Sequence, residues 1–131
     1  MTVHGIDHFN FRGSAKLLAA LQAFYCDALG LEPGPRPPLR SSGSWLYTGQ
    51  APVIHLVEVP DAALSAASGA APIGLDHVAF RCSNRERMLE RLQGLGIAHT
   101  VSEAPATGQV VVRLQDPTGL TVELLFPLGE R

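Results

Sequence analysis

The sequence predicts an α+β fold made of two tandem βαβββ modules, and three observations carry the prediction. The segment Gly5-Ile6-Asp7-His8-Phe9-Asn10-Phe11-Arg12-Gly13-Ser14 repeats as Gly74-Leu75-Asp76-His77-Val78-Ala79-Phe80-Arg81-Cys82-Ser83, identical at six of ten positions, which points to internal duplication. Each copy runs on into apolar residues spaced at three and four, the period of a helix, and then into a glycine stop. Three segments of strand character follow each stop.

In the opening strand, alternation puts Ile6, His8, Asn10 and Arg12 on one face and Phe9 and Phe11 on the other, which a helix should cover. Leu75, His77, Ala79 and Arg81 repeat the first face in the second copy. Ser14 is placed to cap a helix whose stripe is Leu17, Leu18, Leu21, Phe24 and Tyr25 and which ends at Gly30. Its counterpart has Ser83 and Glu86 in capping-box spacing, a stripe of Met88, Leu89, Leu92 and Leu95, and a stop at Gly94 or Gly96.

The strands of module one are expected near 31–36, 44–49 and 53–59, and those of module two near 98–103, 109–114 and 120–126. Gly49-Gln50-Ala51-Pro52 and Asp116-Pro117-Thr118-Gly119 supply turn chemistry between the last two strands of each module, so both pairs should be hairpins. The prolines of 33–38 weaken the second strand and suggest an edge. Module one is thus residues 1–60, module two residues 74–131, and the Ala-, Ser- and Gly-rich stretch 61–73 a linker, all within one domain.

The 10 basic and 12 acidic residues are scattered along the chain, so neither nucleic acid nor an anionic membrane is indicated, and a small molecule is the expected partner. There is no apolar run of bilayer-spanning length and no signal-peptide pattern at the start, so a soluble, cytoplasmic protein is expected. Cys26 and Cys82 have no CxxC spacing and read as packed thiols rather than a disulfide.

Superposing the final strands lays Ile54-His55-Leu56 on Val122-Glu123-Leu124, so His55 and Glu123 share a position, as His8 and His77 do in the first strands. Two modules paired about a pseudo-twofold axis bring such positions together, and three imidazoles with one carboxylate suit a divalent metal. A lone strand histidine is more often a hydrogen-bonded core residue; here a position keeps its donor character while changing its chemistry, as interchangeable ligands would. Nitrogen and oxygen donors fit Fe(II), Mn(II), Co(II), Ni(II) or Zn(II), and the lack of cysteine ligands disfavours a structural zinc site. Asn10 shares the face of His8. Trp45 and Tyr47 lie in a strand next to His55, and Arg113 alternates with Val111 and Gln115; these four are the candidate substrate contacts.

The paired modules, the strand openings IDHFNF and LDHVAF, the segment FYCDALGLE and the ending QDPTGLTVELLF resemble the vicinal oxygen chelate superfamily over nearly the whole chain. Its members include glyoxalase I, methylmalonyl-CoA epimerase, extradiol ring-cleaving dioxygenases, fosfomycin-modifying enzymes and the metal-free bleomycin-resistance proteins. The resemblance implies a curved mixed sheet around a central site, with metal ligands at the first and last strands of each module, here His8, His55, His77 and Glu123. It implies either an isomerase or lyase in which Glu123 serves as the base, or a dioxygenase holding its metal on His8, His77 and Glu123. Where glyoxalase I has a second carboxylate, this chain has His55. The binding-only relatives supply the alternative of a drug- or metabolite-sequestering protein. A homodimer is expected, whether the modules pair within one chain or between two.

Overall fold

A computed structural model of the chain describes Met1, Ile6, residues 8–60 and residues 77–130. The linker and the start of the second copy of the repeat's opening segment, up to Asp76, lie outside the described residues. By its contacts the chain divides into two compact units, Met1–Pro72 and Ile73–Arg131.

The first unit holds β1 (Phe9–Gly13), helix α1 (Ala15–Ala23), β2 (Glu32–Gly34), β3 (Gly43–Thr48) and β4 (Ala51–Glu58). The second repeats the order with β5 (His77–Arg81), α2 (Arg85–Gly94), β6 (His99–Ala104), β7 (Gln109–Gln115) and β8 (Thr121–Pro127). Each unit contains a four-stranded mixed sheet, in the orders β1-β4-β3-β2 and β5-β8-β7-β6. The first strand pairs parallel with the last, and the other two pairings are antiparallel. The βαβββ pattern therefore holds twice, and both expected hairpins form.

Ser14 caps α1 by accepting a hydrogen bond from the Leu17 N–H at 3.2 Å. The helix stops earlier than its apolar stripe implies: Phe24–Ala28 form a π-helical turn. That wider turn leaves Tyr25 and Ala28 fully buried and sets the Tyr25 ring 5.9 Å from Phe11 of β1 and 5.0 Å, edge-on, from Phe24. Leu21, Leu46, Ile54 and Leu56 are also fully buried.

The cap of α2 differs from the capping box expected at Ser83 and Glu86. Asn84 is the cap, in the left-handed region at φ 61°, and its side chain accepts from the Arg87 N–H. Asparagine tolerates that conformation better than serine does. The Asn84 N–H itself donates to the carboxylate of Glu130, so the reciprocal half of the box comes from the chain's far end. Leu92 is buried on this helix, whereas Leu95 is exposed.

The core of unit two is the inward row set Val122–Leu114, Leu124–Val112 and Phe126–Val110, each pair directly opposite across β8 and β7. Burying residues of this size stabilises by roughly 1.5–3 kcal/mol apiece. The strict alternation of β8 fixes its register, because a slip of one residue would turn this whole row outward. The Asp116 turn reinforces it: the carboxylate accepts from the Thr118 N–H at 2.7 Å, the Thr118 hydroxyl at 2.5 Å and the Leu120 N–H at 3.2 Å. In unit one the register shifts by one residue between Leu46 and Thr48, beside Pro52, which has no N–H to give the ladder. No helix among the described residues is long and apolar enough to cross a membrane.

Candidate functional site

The two sheets present matching rows on the face opposite their cores. In unit one, Asn10 of β1, His55 of β4, Trp45 of β3 and Gly34 of β2 lie side by side. In unit two the corresponding row is Ala79, Glu123, Arg113 and Thr100. His55 and Glu123 thus occupy the same place in their modules, as the repeat predicts.

His55 is buried in a three-ring stack. The Trp45 ring lies 3.9 Å from one of its faces at 6° to parallel, and the His8 ring 3.7 Å away at 14°. With both faces covered, the imidazole is left to interact through its edge. Tyr47 does not join this stack; its hydroxyl donates to the Pro35 carbonyl. Its ring lies over Gly34, where an added Cβ would come within 2.7 Å of it. Asn10 is exposed beside His55.

In unit two the His77 Nε2 lies 3.8 Å from Glu123 Oε2, an ion pair when the imidazole is protonated. The other oxygen, Oε1, accepts a hydrogen bond from Arg113 Nε at 2.9 Å. Arg113 Nη1 donates to Ser102 Oγ at 3.1 Å, so the guanidinium is tied down at two points. Arg113, one of the candidate substrate contacts, is thus bonded to Glu123. His99, at the start of β6, bonds locally through Nδ1 to the Ile97 carbonyl at 2.8 Å.

The donor types suit a divalent ion, and the geometry fits it unevenly. Two donors each about 2.0–2.2 Å from one ion stand roughly 3.0–3.5 Å apart, so His77 and Glu123 need to close by only a few tenths of an ångström. His8 and His55 are different. Stacked rings direct their in-plane lone pairs side by side rather than toward one point, so both can serve one ion only if His8 leaves the stack. Among the described residues no group of three or more His, Cys, Asp or Glu is drawn together; the candidates stand as one pair in each unit.

Both cysteines are free thiols. Burial pushes the Cys82 thiol up to about 11, with a backbone hydrogen bond at Leu125 partly offsetting it and the Glu130 carboxylate adding to it. Burial, with Asp27 and Glu32 nearby, also raises Cys26. Neither is poised as a nucleophile.

The family model of the glyoxalase-like domain matches residues 11–125. The chain belongs to this family. It is a glyoxalase-like member of the vicinal oxygen chelate superfamily, whose fold its two modules reproduce. No curated protein matches the sequence. Among solved structures, a glyoxylase/bleomycin resistance protein/dioxygenase domain from a Frankia species aligns over 96% of this chain and 99% of its own, with TM-score 0.71 and 19% identity. Lactoylglutathione lyase from Agrobacterium tumefaciens aligns over 96% of both chains, with TM-score 0.64 and 22% identity. An antibiotic-binding protein from a Streptomyces species aligns over 97% of this chain and 98% of its own, with TM-score 0.66 and 20% identity. At these identities the glyoxalase-like fold is shared, and the family holds enzymes and binding proteins alike.

The turn residues, the faces and the equivalence of His55 with Glu123 were accessible from alternation and repeat. The Trp45–His55 stack and the Arg113–Glu123 bond were not. The signal that finds them is positional: Trp45 and Arg113 stand at one offset within the repeat, 10 residues before His55 and Glu123 respectively.

Proposed function

We propose that the chain is a divalent-metal-dependent enzyme acting on a small substrate with adjacent oxygens, with His8, His55, His77 and Glu123 as its metal ligands. The observation that carries this reading is the His77–Glu123 pair, 3.8 Å apart on the open face of one module, with His8, just ahead of β1, and His55 of β4 at the repeat-equivalent positions of the other. A bound Fe, Mn, Co, Ni or Zn ion would supply Lewis-acid polarisation to oxygens of the substrate.

Glu123 is the residue that moves a proton. Arg113 occupies Oε1, so Oε2 would serve in turn as donor to the ion and, once released from it, as the base that takes a proton from the carbon beside a carbonyl and returns it to the neighbouring carbon. This is glyoxalase-type isomerase or lyase chemistry. The same imidazoles and carboxylate also suit ring-cleaving oxygenation of a catechol. Asn10, exposed beside His55, offers the substrate an amide; Trp45 and Tyr47 give the first module's face its aromatic character.

The second reading is sequestration of a drug or metabolite without chemistry. It is favoured by the His8–His55–Trp45 stack, an aromatic surface on which a flat apolar ligand could lie, and by the fold shared with the antibiotic-binding protein. We place the protein in the cytoplasm, in keeping with its free thiols, and as a homodimer in which modules pair within or between chains.

The test is turnover by the metal-reconstituted and chelator-treated protein on a panel of α-hydroxyketones, hemithioacetals and catechols. Metal-dependent turnover of one class, lost in Glu123→Gln, supports the enzyme. Tight binding of an aromatic compound with equal affinity with and without metal, and no turnover, supports sequestration instead.

A further inference from the structure

The two modules place unlike residues at one position. Trp45 faces His55 across β3 and β4, and Arg113 faces Glu123 across β7 and β8. Each makes the contact that suits its neighbour: a parallel ring stack at 3.9 Å on the imidazole, and a 2.9 Å charged hydrogen bond on the carboxylate. The duplication has therefore kept the relation between the two positions while both residue types changed.

We propose that Trp45 and Arg113 are matched positioning residues, each fixing the orientation of the candidate metal ligand beside it. The inference rests on the metal reading above and deepens it. An imidazole on a strand can rotate about two side-chain bonds. Covering its face with Trp45 sets the ring plane, so that only the edge carrying the nitrogens is presented. A carboxylate has two equivalent oxygens. Binding Oε1 with Arg113 turns Oε2 toward His77 and makes Glu123 a single-oxygen donor. The Ser102 hydroxyl holds the guanidinium in turn, while on the other side of Glu123 stands Ala79, which has no polar group to compete.

A purely structural role makes a different forecast. The Arg113 side chain is 47% exposed, so its ion pair should matter little to folding. Groups that orient metal ligands typically change metal affinity 10- to 100-fold when removed.

The test is titration of the full chain with Zn(II) alone by calorimetry, and the visible spectrum of the Co(II) form, for wild type, Arg113→Gln, Arg113→Lys, Trp45→Leu and Trp45→Phe. We expect Arg113→Gln and Trp45→Leu to bind Zn(II) about 10- to 100-fold more weakly with altered Co(II) bands. Arg113→Lys and Trp45→Phe should recover part of the loss, and if Trp45→Leu does not fold, Trp45→Phe decides for that position. Affinities within about twofold of wild type and unchanged bands would overturn the inference alone, as would tighter binding by Arg113→Gln, which would make Arg113 a competitor of the ion. A wild type that takes up no ion would overturn this inference and the metal reading together.

Discussion

Replacing Asp116 tests how firmly the second module presents Glu123. Within the turn that joins β7 to β8 its carboxylate accepts from the Thr118 N–H, the Thr118 hydroxyl and the Leu120 N–H. Hydrogen bonds to a charged acceptor contribute about 1.5–3 kcal/mol each when all partners are buried. Thr118 is exposed, so water recovers most of what its two groups lose, roughly 0.5 kcal/mol remaining for each. The Leu120 N–H is half-buried and counts for about 1–2 kcal/mol. Asp116→Ala should therefore destabilise by about 2–3 kcal/mol, and Asp116→Asn, which keeps a neutral acceptor, by about 1 kcal/mol. Urea unfolding followed by far-ultraviolet circular dichroism measures both. A loss below about 0.5 kcal/mol in Asp116→Ala would refute the argument that this carboxylate holds the turn. The consequence for function is register, since a slip of one residue would put Val122 or Leu124 where Glu123 now stands.

Three further outcomes follow from other parts of the chain. Trp45 is the single tryptophan and lies on His55, so Zn(II) binding, which requires His8 to leave the stack, should change its emission in wild type and leave it unchanged in His55→Ala; an equal change in both would show that the ion binds elsewhere. Gly43 sits at φ 155°, and a Cβ there would overlap the Leu56 carbonyl oxygen, so Gly43→Ala should cost about 3 kcal/mol in the same urea assay, against nearly none if β3 can shift to make room. With the Cys82 thiol pushed up to about 11 by burial, its thiolate at pH 8 is about 100-fold scarcer than that of an ordinary cysteine. Alkylation by iodoacetamide at Cys82 should be correspondingly slow at pH 8 and rise about tenfold per pH unit until it levels off near pH 11; rapid modification at pH 8 would contradict that assignment.

The fold was legible because duplication and alternation are properties of the sequence itself. Val122, Leu124 and Phe126 face inward and Glu123 outward whatever the neighbouring strand is, so the candidate ligands could be placed on a face before any pairing was known. The helix caps were less legible. Ser83 and Glu86 have the spacing of a capping box, yet Asn84 takes the cap, and Glu130 completes it from 46 residues away, a contact that local spacing does not encode. The π-helical turn at Phe24–Ala28 likewise answers to burial of Tyr25 rather than to helical period. At the site, the types of the residues pointed to a metal, but which residue leans on which depends on register across strands. Arg113, a candidate substrate contact, is bonded to Glu123, and His8 is stacked on His55.

The most direct test of the central claim is metal content by elemental analysis of untagged protein, before and after reconstitution, for wild type, His55→Ala, His77→Ala and Glu123→Ala. The account predicts about one Fe, Mn, Co, Ni or Zn per chain in wild type and a loss in all three variants. A wild type that stays empty after reconstitution, or variants that keep their full complement, would contradict it.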